Sequence, residues 1–287
     1  MTSLTVLIAA PGSGAITPAL AKGLAITRVL AEGEAVESAL SAGEARLAVS
    51  GHPIDVAAVP AANRRKRLLV ADMDSTMIDQ ECIDELGEAA GLGPRIRDIT
   101  FRAMRGELDF ADALRERVSL MKGLDAAFID AIIRERITYA SGGKILVATM
   151  KAHGATAILV SGGFRQFTAK VAGHIGFDAN EANDLVIENG KLAGLVREPI
   201  LGKDAKVTFL NSYAEKAGLT PVDAIAVGDG ANDIPMLLHA GMGVALHAKP
   251  HVQQQASIAI NHGDLTSLLY LQGYARSDFI RPQTNLI

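Results

Sequence analysis

Two aspartates, Asp72 and Asp74, follow directly on the apolar run Leu68-Leu69-Val70-Ala71. A short apolar run of this kind predicts a buried strand. Residues two apart in an extended chain point to the same side, so both carboxylates leave the strand end together. Ser75 and Thr76 add hydroxyls where the chain turns. The end of a strand in an open α/β sheet is where such sheets bind ligands. Two carboxylates placed this close push their pKa values apart, which suits one for attack and the other for proton transfer.

Two further strand ends carry polar groups. Ala155–Val160 reads as a buried strand, followed by Ser161-Gly162-Gly163 and a helical pattern from Phe164 to Ile175. The spacing predicts strand, glycine turn and helix, where free helix N–H groups and absent side chains admit a phosphate. Ala224–Val227 is another strand candidate and runs into Gly228-Asp229-Gly230-Ala231-Asn232-Asp233. A parallel sheet brings the three strand ends to one edge. Four carboxylates there (Asp72, Asp74, Asp229 and Asp233) repel one another and call for a cation. An all-oxygen set suits Mg²⁺, completed by waters and a substrate phosphate. Lys206, heading a helical pattern over Val207–Ala217, brings positive charge for the oxygens of a transferring phosphoryl group. Together these groups point to phosphoryl transfer through an aspartyl-phosphate. The chain has no Gly-x-x-x-x-Gly-Lys-[Ser/Thr] stretch, so the P-loop route is not supported.

Composition narrows the rest. The 287 residues leave room for about two domains. At 49% hydrophobic and 21% charged, the chain builds a sizeable core. Net charge is −4, aromatics are 4% and Trp is absent, which argues against a nucleic-acid partner. The basic run Arg64-Arg65-Lys66-Arg67 reads as a solvated linker. The single cysteine, Cys82, excludes an internal disulfide and reads as a core thiol. Neither a membrane-length apolar run nor a signal-like start occurs, so the expected location is the cytoplasm and no membrane partner is expected.

The elements that position these groups fall into segments. Residues 1–62 predict a small α+β module: a strand at Leu4–Ala9, a helix over Ile16–Leu30, an acidic turn from Glu32, and strands at Ala45–Ser50 and Ile54–Val59. Residues 66–78 and 141–275 predict an α/β core with a Rossmann-like parallel sheet. Residues 79–140 are helical by pattern and read as a cap inserted after the first core strand. Leu185–Val196 carries Asn189-Gly190 at its centre and predicts a hairpin. Residues 276–287 form a weakly patterned tail in which Phe279 and Ile280 are the docking candidates.

Asp72-Met-Asp-Ser-Thr76, Ser161-Gly-Gly163, Lys206 and Gly228-Asp-Gly-Ala-Asn-Asp-Ile-Pro-Met236 together resemble the haloacid-dehalogenase superfamily, and within it most closely the branch that hydrolyses phosphoserine. The resemblance runs from about residue 66 to 270, and residues 1–62 loosely resemble the diverged ACT-like module of bacterial members. It implies a Mg²⁺-dependent phosphatase that converts O-phospho-L-serine to L-serine at the end of serine biosynthesis. Asp72 matches the nucleophile and Asp74 the acid and base. Asp72, the Asp74 backbone carbonyl and Asp229 match metal ligands, with Asp233 supporting the metal and Lys206. Ser161 and Gly162 match the phosphate turn, and Asn232 a group lining the site. Glu81 matches the residue that holds the substrate ammonium, and Arg117 the one that holds its carboxylate. Met104 and Phe110 match apolar cap positions. A homodimer is compatible with this reading. Action on another small phosphate ester, and a metabolite-binding regulatory scaffold, are the alternatives.

Overall fold

The computed structural model describes residues 3–282, apart from the side chain of Met104. The part of the tail at residues 283–287 and the Met104 side chain therefore lie outside the described residues.

The chain begins with β1 (Ser3–Ala9), α1 (Pro18–Ala21), β2 (Ile26–Ala31), β3 (Ala35–Ser38), α2 (Ala42–Ala48) and β4 (Ile54–Pro60). The four strands form an antiparallel sheet in the order β2-β3-β1-β4. Two expectations are corrected here. The helix foreseen over Ile16–Leu30 stops after one turn, and Ile26–Ala31 is strand. Ala25 breaks the pattern at φ +43°, and the branched residues Ile26, Thr27 and Val29 beyond it favour a pleat. The strand foreseen at Ala45–Ser50 is instead helix α2. Ser41 and Glu44 close a reciprocal capping box at its start, which commits the next residues to helix.

β5 (Leu68–Ala71) opens the second sheet. Helices α3 (Cys82–Ala89), α4 (Gly93–Met104), α5 (Phe110–Ser119) and α6 (Ala127–Glu135) all fall between it and the next core element, α7 (Gly143–Ala152). The two chain crossings into and out of this helical segment lie side by side: Asp79 N–H donates to Thr138 O at 3.0 Å and Ala140 N–H to Met77 O at 3.0 Å. There follow β6 (Thr156–Phe164), α8 (Arg165–Ile175), β7 (Ala179–Asn183), the hairpin β8 (Leu185–Glu188) and β9 (Lys191–Val196), and α9 (Lys203–Lys216). The chain closes with β10 (Ala224–Gly228), α10 (Ile234–His239), β11 (Met242–Leu246), α11 (Pro250–Gln253), β12 (Ile258–Ile260) and α12 (Ser267–Leu271).

The large sheet is parallel throughout, in the order β12-β11-β10-β5-β6-β7. Every residue of β5 and β10 is buried, as expected of central strands covered on both faces. β5 pairs with β6 on one side and β10 on the other, so the chain reverses its direction of growth across the sheet at β5. That reversal opens a crevice at the carboxyl ends of the strands.

The antiparallel sheet shares one face with this core. Val6, Ile8, Leu30 and Val59 belong to the same apolar cluster as Leu268, Leu269 and Tyr270, while Leu24, Ala45 and Val49 cover its other face. Polar contacts fix the junction. Asp55 is 6% exposed and accepts the backbone N–H groups of Asn261, His262 and Gly263 at 2.8–2.9 Å. Glu34 takes the Tyr270 hydroxyl at 2.7 Å and pairs with Arg276. The basic run is corrected in part: Arg65 and Arg67 are exposed as expected of a solvated linker, whereas Arg64 is half-buried and Lys66 buried. Arg64 pairs with Glu37 at 2.6 Å, Arg65 lies over the Tyr274 ring, and buried Lys66 donates to Asn63 O and Val222 O at 2.8 Å. In the tail, Phe279 packs against Tyr270 and Ile280 N–H donates to Thr149 Oγ1 at 2.9 Å.

Removing the Asp55 carboxylate takes the acceptor from three backbone donors, of which the Gly263 N–H is buried. Asp55→Ala is expected to lower the unfolding free energy by about 3 kcal/mol in urea titration. An unchanged midpoint would mean that this carboxylate does not hold the two sheets together.

Candidate active site

The order β10-β5-β6 delivers three strand ends to one place. Asp72 follows β5, Asp229 follows β10, and Ser161 lies in β6. Asp72 is 4% exposed, and its Oδ1 accepts the Met73 N–H at 2.8 Å and meets Lys206 Nζ at 2.7 Å. Lys206 also pairs with Asp233, which has no exposure at all. Lys206 stands one turn into α9, rather than at its start as the sequence suggested. Lys203, the neighbouring candidate, is exposed at the first position of the helix. Asp233 Oδ2 accepts the Gly230 N–H at 2.9 Å, which folds the Gly228–Asp233 segment back on itself. A side chain at Gly228 would place its Cβ 2.4 Å from Asp233 Cγ, so the turn requires glycine there.

Carboxylate oxygens of Asp72, Asp229 and Asp233 lie within 4.8 Å of one another. Burial, then the neighbouring Asp233 charge, drives Asp72 well above the usual aspartate range, and Lys206 opposes the shift. The same two causes, burial first, push Asp229 up to about 6. Burial works against the charge on Lys206, yet Asp72 and Asp233 together carry its pKa above the ordinary lysine value. Three carboxylates facing one ammonium leave two negative charges in a buried space. The donor set is all oxygen, so a hard divalent cation fits it.

Asp74 follows Asp72 by two residues and is half-buried. Its Oδ1 accepts the Cys82 N–H at 3.0 Å, from the start of α3, and its Oδ2 accepts the Ser161 hydroxyl at 3.2 Å. Burial raises its pKa, and the bonds from Cys82 and Ser161 pull the other way. Ser75, next in the chain, takes φ +53° and donates its hydroxyl to Glu81 Oε1 at 2.9 Å. Glu81 is pushed up to about 7 by burial first and the Asp74 charge second. Arg117, on α5, donates to Ala113 O at 3.1 Å and reaches Thr100 Oγ1 at 3.5 Å. Burial lowers its pKa, opposed by the fields of Asp84 and Glu81. Cys82 is buried, and its thiol is pushed up by burial and then by Asp74.

The segment Ser161–Gly163 departs from its expected form. It is not a turn between strand and helix but a bulge within β6. Val160 pairs with Glu181 and Phe164 with Asn183, so three residues of β6 face Ala182 alone. Ser161 Oγ accepts the Gly163 N–H at 2.8 Å inside the bulge. A Cβ at Gly163 would lie 3.0 Å from Asp74 Oδ2, and one at Gly162 would lie 3.3 Å from Phe110 Cζ. Glycine thus admits the acid on one side and a ring of α5 on the other. Asn232 is exposed, with its Oδ1 folded over Gly230.

Three residues of this region make contacts there that the sequence reading did not assign them. Thr76 is 1% exposed and donates to Asp229 Oδ1 at 3.3 Å. Cys82 contributes through its backbone N–H rather than its thiol, and the signal for that was its place at a helix start. Asn183 is 2% exposed and bonds the backbone of Gly162 and Leu201. No residue pattern in the sequence marks it.

Comparison with known proteins agrees with this geometry. The haloacid dehalogenase-like hydrolase family matches residues 69–238. A phosphoserine phosphatase of Lactococcus lactis is 45% identical over 204 residues, which is 71% of this chain and 94% of that protein. One from Archaeoglobus fulgidus is 41% identical over 217 residues, 75% of this chain but only 63% of that longer protein. The structure of a probable phosphoserine phosphatase from Vibrio cholerae has a TM-score of 0.82 at 31% identity, covering 96% of this chain and 88% of the other. A phospho-aspartyl intermediate analogue of a phosphoserine phosphatase has a TM-score of 0.66 at 38% identity, covering 71% and 98%. With its buried aspartates at a sheet switch point and a family match over more than half its length, the chain belongs to the haloacid dehalogenase-like hydrolases.

Proposed function

We propose that this protein hydrolyses O-phospho-L-serine to L-serine and phosphate through an aspartyl-phosphate on Asp72, with Mg²⁺ as its metal. The observation that carries the reading is the division of labour between two neighbouring carboxylates. Asp72 meets Lys206 within the cluster of three carboxylates, whereas half-buried Asp74 stands outside that cluster and accepts from the Cys82 N–H and the Ser161 hydroxyl. One is arranged to attack, the other to keep a proton. The names borne by the relatives support the same substrate.

In the first half-reaction an Asp72 carboxylate oxygen forms a bond to phosphorus as the bond from phosphorus to the serine oxygen breaks. Asp74 gives its proton to that departing oxygen. In the second half, Asp74 takes a proton from water, the water oxygen bonds to phosphorus, and the Asp72–phosphorus bond breaks. Both Asp72 and the proton on Asp74 are thereby restored. Lys206 offsets charge on the transferring group, and the Ser161–Gly163 bulge, beside Asp74, is the seat for the phosphate. Asp72, Asp229 and the Asp74 carbonyl would hold Mg²⁺, with Asp233 behind them; bound there, it neutralises phosphate charge. Glu81 and Arg117 form the zwitterion clamp. A carboxylate suits the substrate ammonium, and Arg suits bidentate carboxylate binding. Residues 79–140 act as the cap that excludes water, and Asn232 lines the phosphate region. We place the protein in the cytoplasm, at the final step of serine synthesis.

Phosphate release from O-phospho-L-serine is expected to need Mg²⁺, stop with EDTA, and exceed release from a panel of other phosphorylated metabolites. Release from other esters alone would refute the substrate and keep the chemistry. Asp72→Asn should reduce kcat by about a thousandfold or more and prevent ³²P labelling of the acid-quenched protein. Labelling that survives the change would move the nucleophile elsewhere. Glu81→Ala and Arg117→Ala should each lower kcat/KM on phosphoserine by about a hundredfold while sparing p-nitrophenyl phosphate. Equal losses on both esters would remove these two residues from serine recognition.

A further inference from the structure

We propose that Asn183 is a positioning residue that sets the phosphate-facing bulge of β6 against the segment leading to Lys206. The proposal rests on the reading of Ser161–Gly163 as the phosphate seat. A bulge takes residues out of the strand ladder and leaves their carbonyls without ladder partners. Here the bulge falls opposite the end of β7, where Phe164 and Asn183 resume pairing. Asn183 is 2% exposed, and its amide group answers the bulge directly. Nδ2 donates to Gly162 O at 2.9 Å and to Leu201 O at 3.2 Å, and Oδ1 accepts the Leu201 N–H at 2.7 Å.

One side chain therefore uses both its donors and its acceptor to join two backbone segments. The first is the bulge itself. The second, Leu201, immediately precedes Gly202, the cap of α9, and α9 carries Lys206 in its second turn. Residues 164–200 separate the two segments in sequence, and α8, β7 and the β8–β9 hairpin lie within that stretch, so chain connectivity does not set their spacing. An asparagine amide has the donor and acceptor count this junction needs. Aspartate has the same shape but no donor, so it would face two carbonyl oxygens with a negative group. Gly162 also packs under Phe110 of α5, so a shift of its carbonyl moves the surface on which that ring rests.

The test is Asn183→Asp, assayed with Mg²⁺ present. Inorganic phosphate binding, measured by calorimetry, should weaken by about tenfold to a hundredfold, and kcat/KM on O-phospho-L-serine should fall to match. Inhibition by L-serine, which Glu81 and Arg117 govern, should stay unchanged. A purely structural role would lower the urea midpoint and weaken phosphate and serine alike; that result, or phosphate bound as tightly as in the wild type, overturns the proposal. If Asn183→Asp does not fold, the wild-type chain decides. Titration with phosphate should shift the Asn183 side-chain amide resonances together with the Gly162 amide, and resonances that stay put would refute it. Wild type that binds phosphate without hydrolysing phosphoserine would sink the substrate assignment alone and leave the Asn183 test intact. Wild type that binds no phosphate would end both.

Discussion

The buried contact of Lys206 with Asp72 and Asp233 is the constraint around which the catalytic edge is arranged. Charges taken out of water are costly unless their partners are close and their remaining lone pairs are bonded. The surrounding chain supplies both. Met73 and Gly230 donate backbone N–H groups to the two carboxylates, and Gly228 leaves room for Asp233 to fold back. Lys206 reaches them because α9 packs on the sheet through Leu210 and Ala214. Yet one ammonium does not balance the carboxylates gathered there. Burial first, and the neighbouring Asp233 charge second, lift Asp72 and Asp229 above the normal aspartate range. Such a site is matched to a cation and a phosphate ester rather than to a neutral ligand.

Topology explains why Asp72 meets Asp229 and Asp233 although they lie far along the chain from it. β5 carries Asp72 and Asp74 at its end and pairs with β6 on one flank and β10 on the other. Each neighbour brings one polar segment to the same edge. The two segments differ in build. Gly228–Asp233 leaves the sheet and folds on its own carboxylate, whereas Ser161–Gly163 stays in the sheet as a bulge. The bulge takes three residues of the strand out of the ladder, where side chains answer their backbone groups instead, and it does so beside Asp74.

Much of this was legible in the sequence, and the failures have physical causes. The buried strands β5, β6 and β10 are apolar runs short enough to be strands and bounded by glycine or aspartate, so the edge and its acids could be read directly. Lys206 could be placed only by resemblance, because Lys203 has the same local pattern; burial separates them. Ile16–Leu30 misled because Leu20 and Leu24 repeat at helical spacing, while the turn at Ala25 depends on a backbone angle that alanine seldom adopts. Ala45–Ser50 misled because its alternation was weighed without the Ser41–Glu44 box just before it. Asn183 was invisible for a different reason. Its role depends on the two backbone segments it joins, and neither the bulge nor the loop at Leu201 has a periodicity of its own.

The same distinction applies to the acid. The protonation of Asp74 is set jointly by the core and by the helical segment, since one oxygen bonds Ser161 of the sheet and the other the Cys82 N–H at the start of α3. Burial favours the protonated carboxyl; both hydrogen bonds favour the carboxylate. The helical segment also carries Phe110 over Gly162, and its Glu81 takes a bond from Ser75, next to the acid. Its two connections to the core run side by side through Asp79–Thr138 and Met77–Ala140, which limits how it can swing. Movement of this segment away from the sheet would remove a donor from Asp74, uncover the bulge and separate Arg117 from the phosphate region in one step. On the proposed function, substrate binding, exclusion of water and the balance of protonation at Asp74 are therefore not independent of one another. They follow from one docking event, because the groups that perform them lie on opposite sides of the same contact.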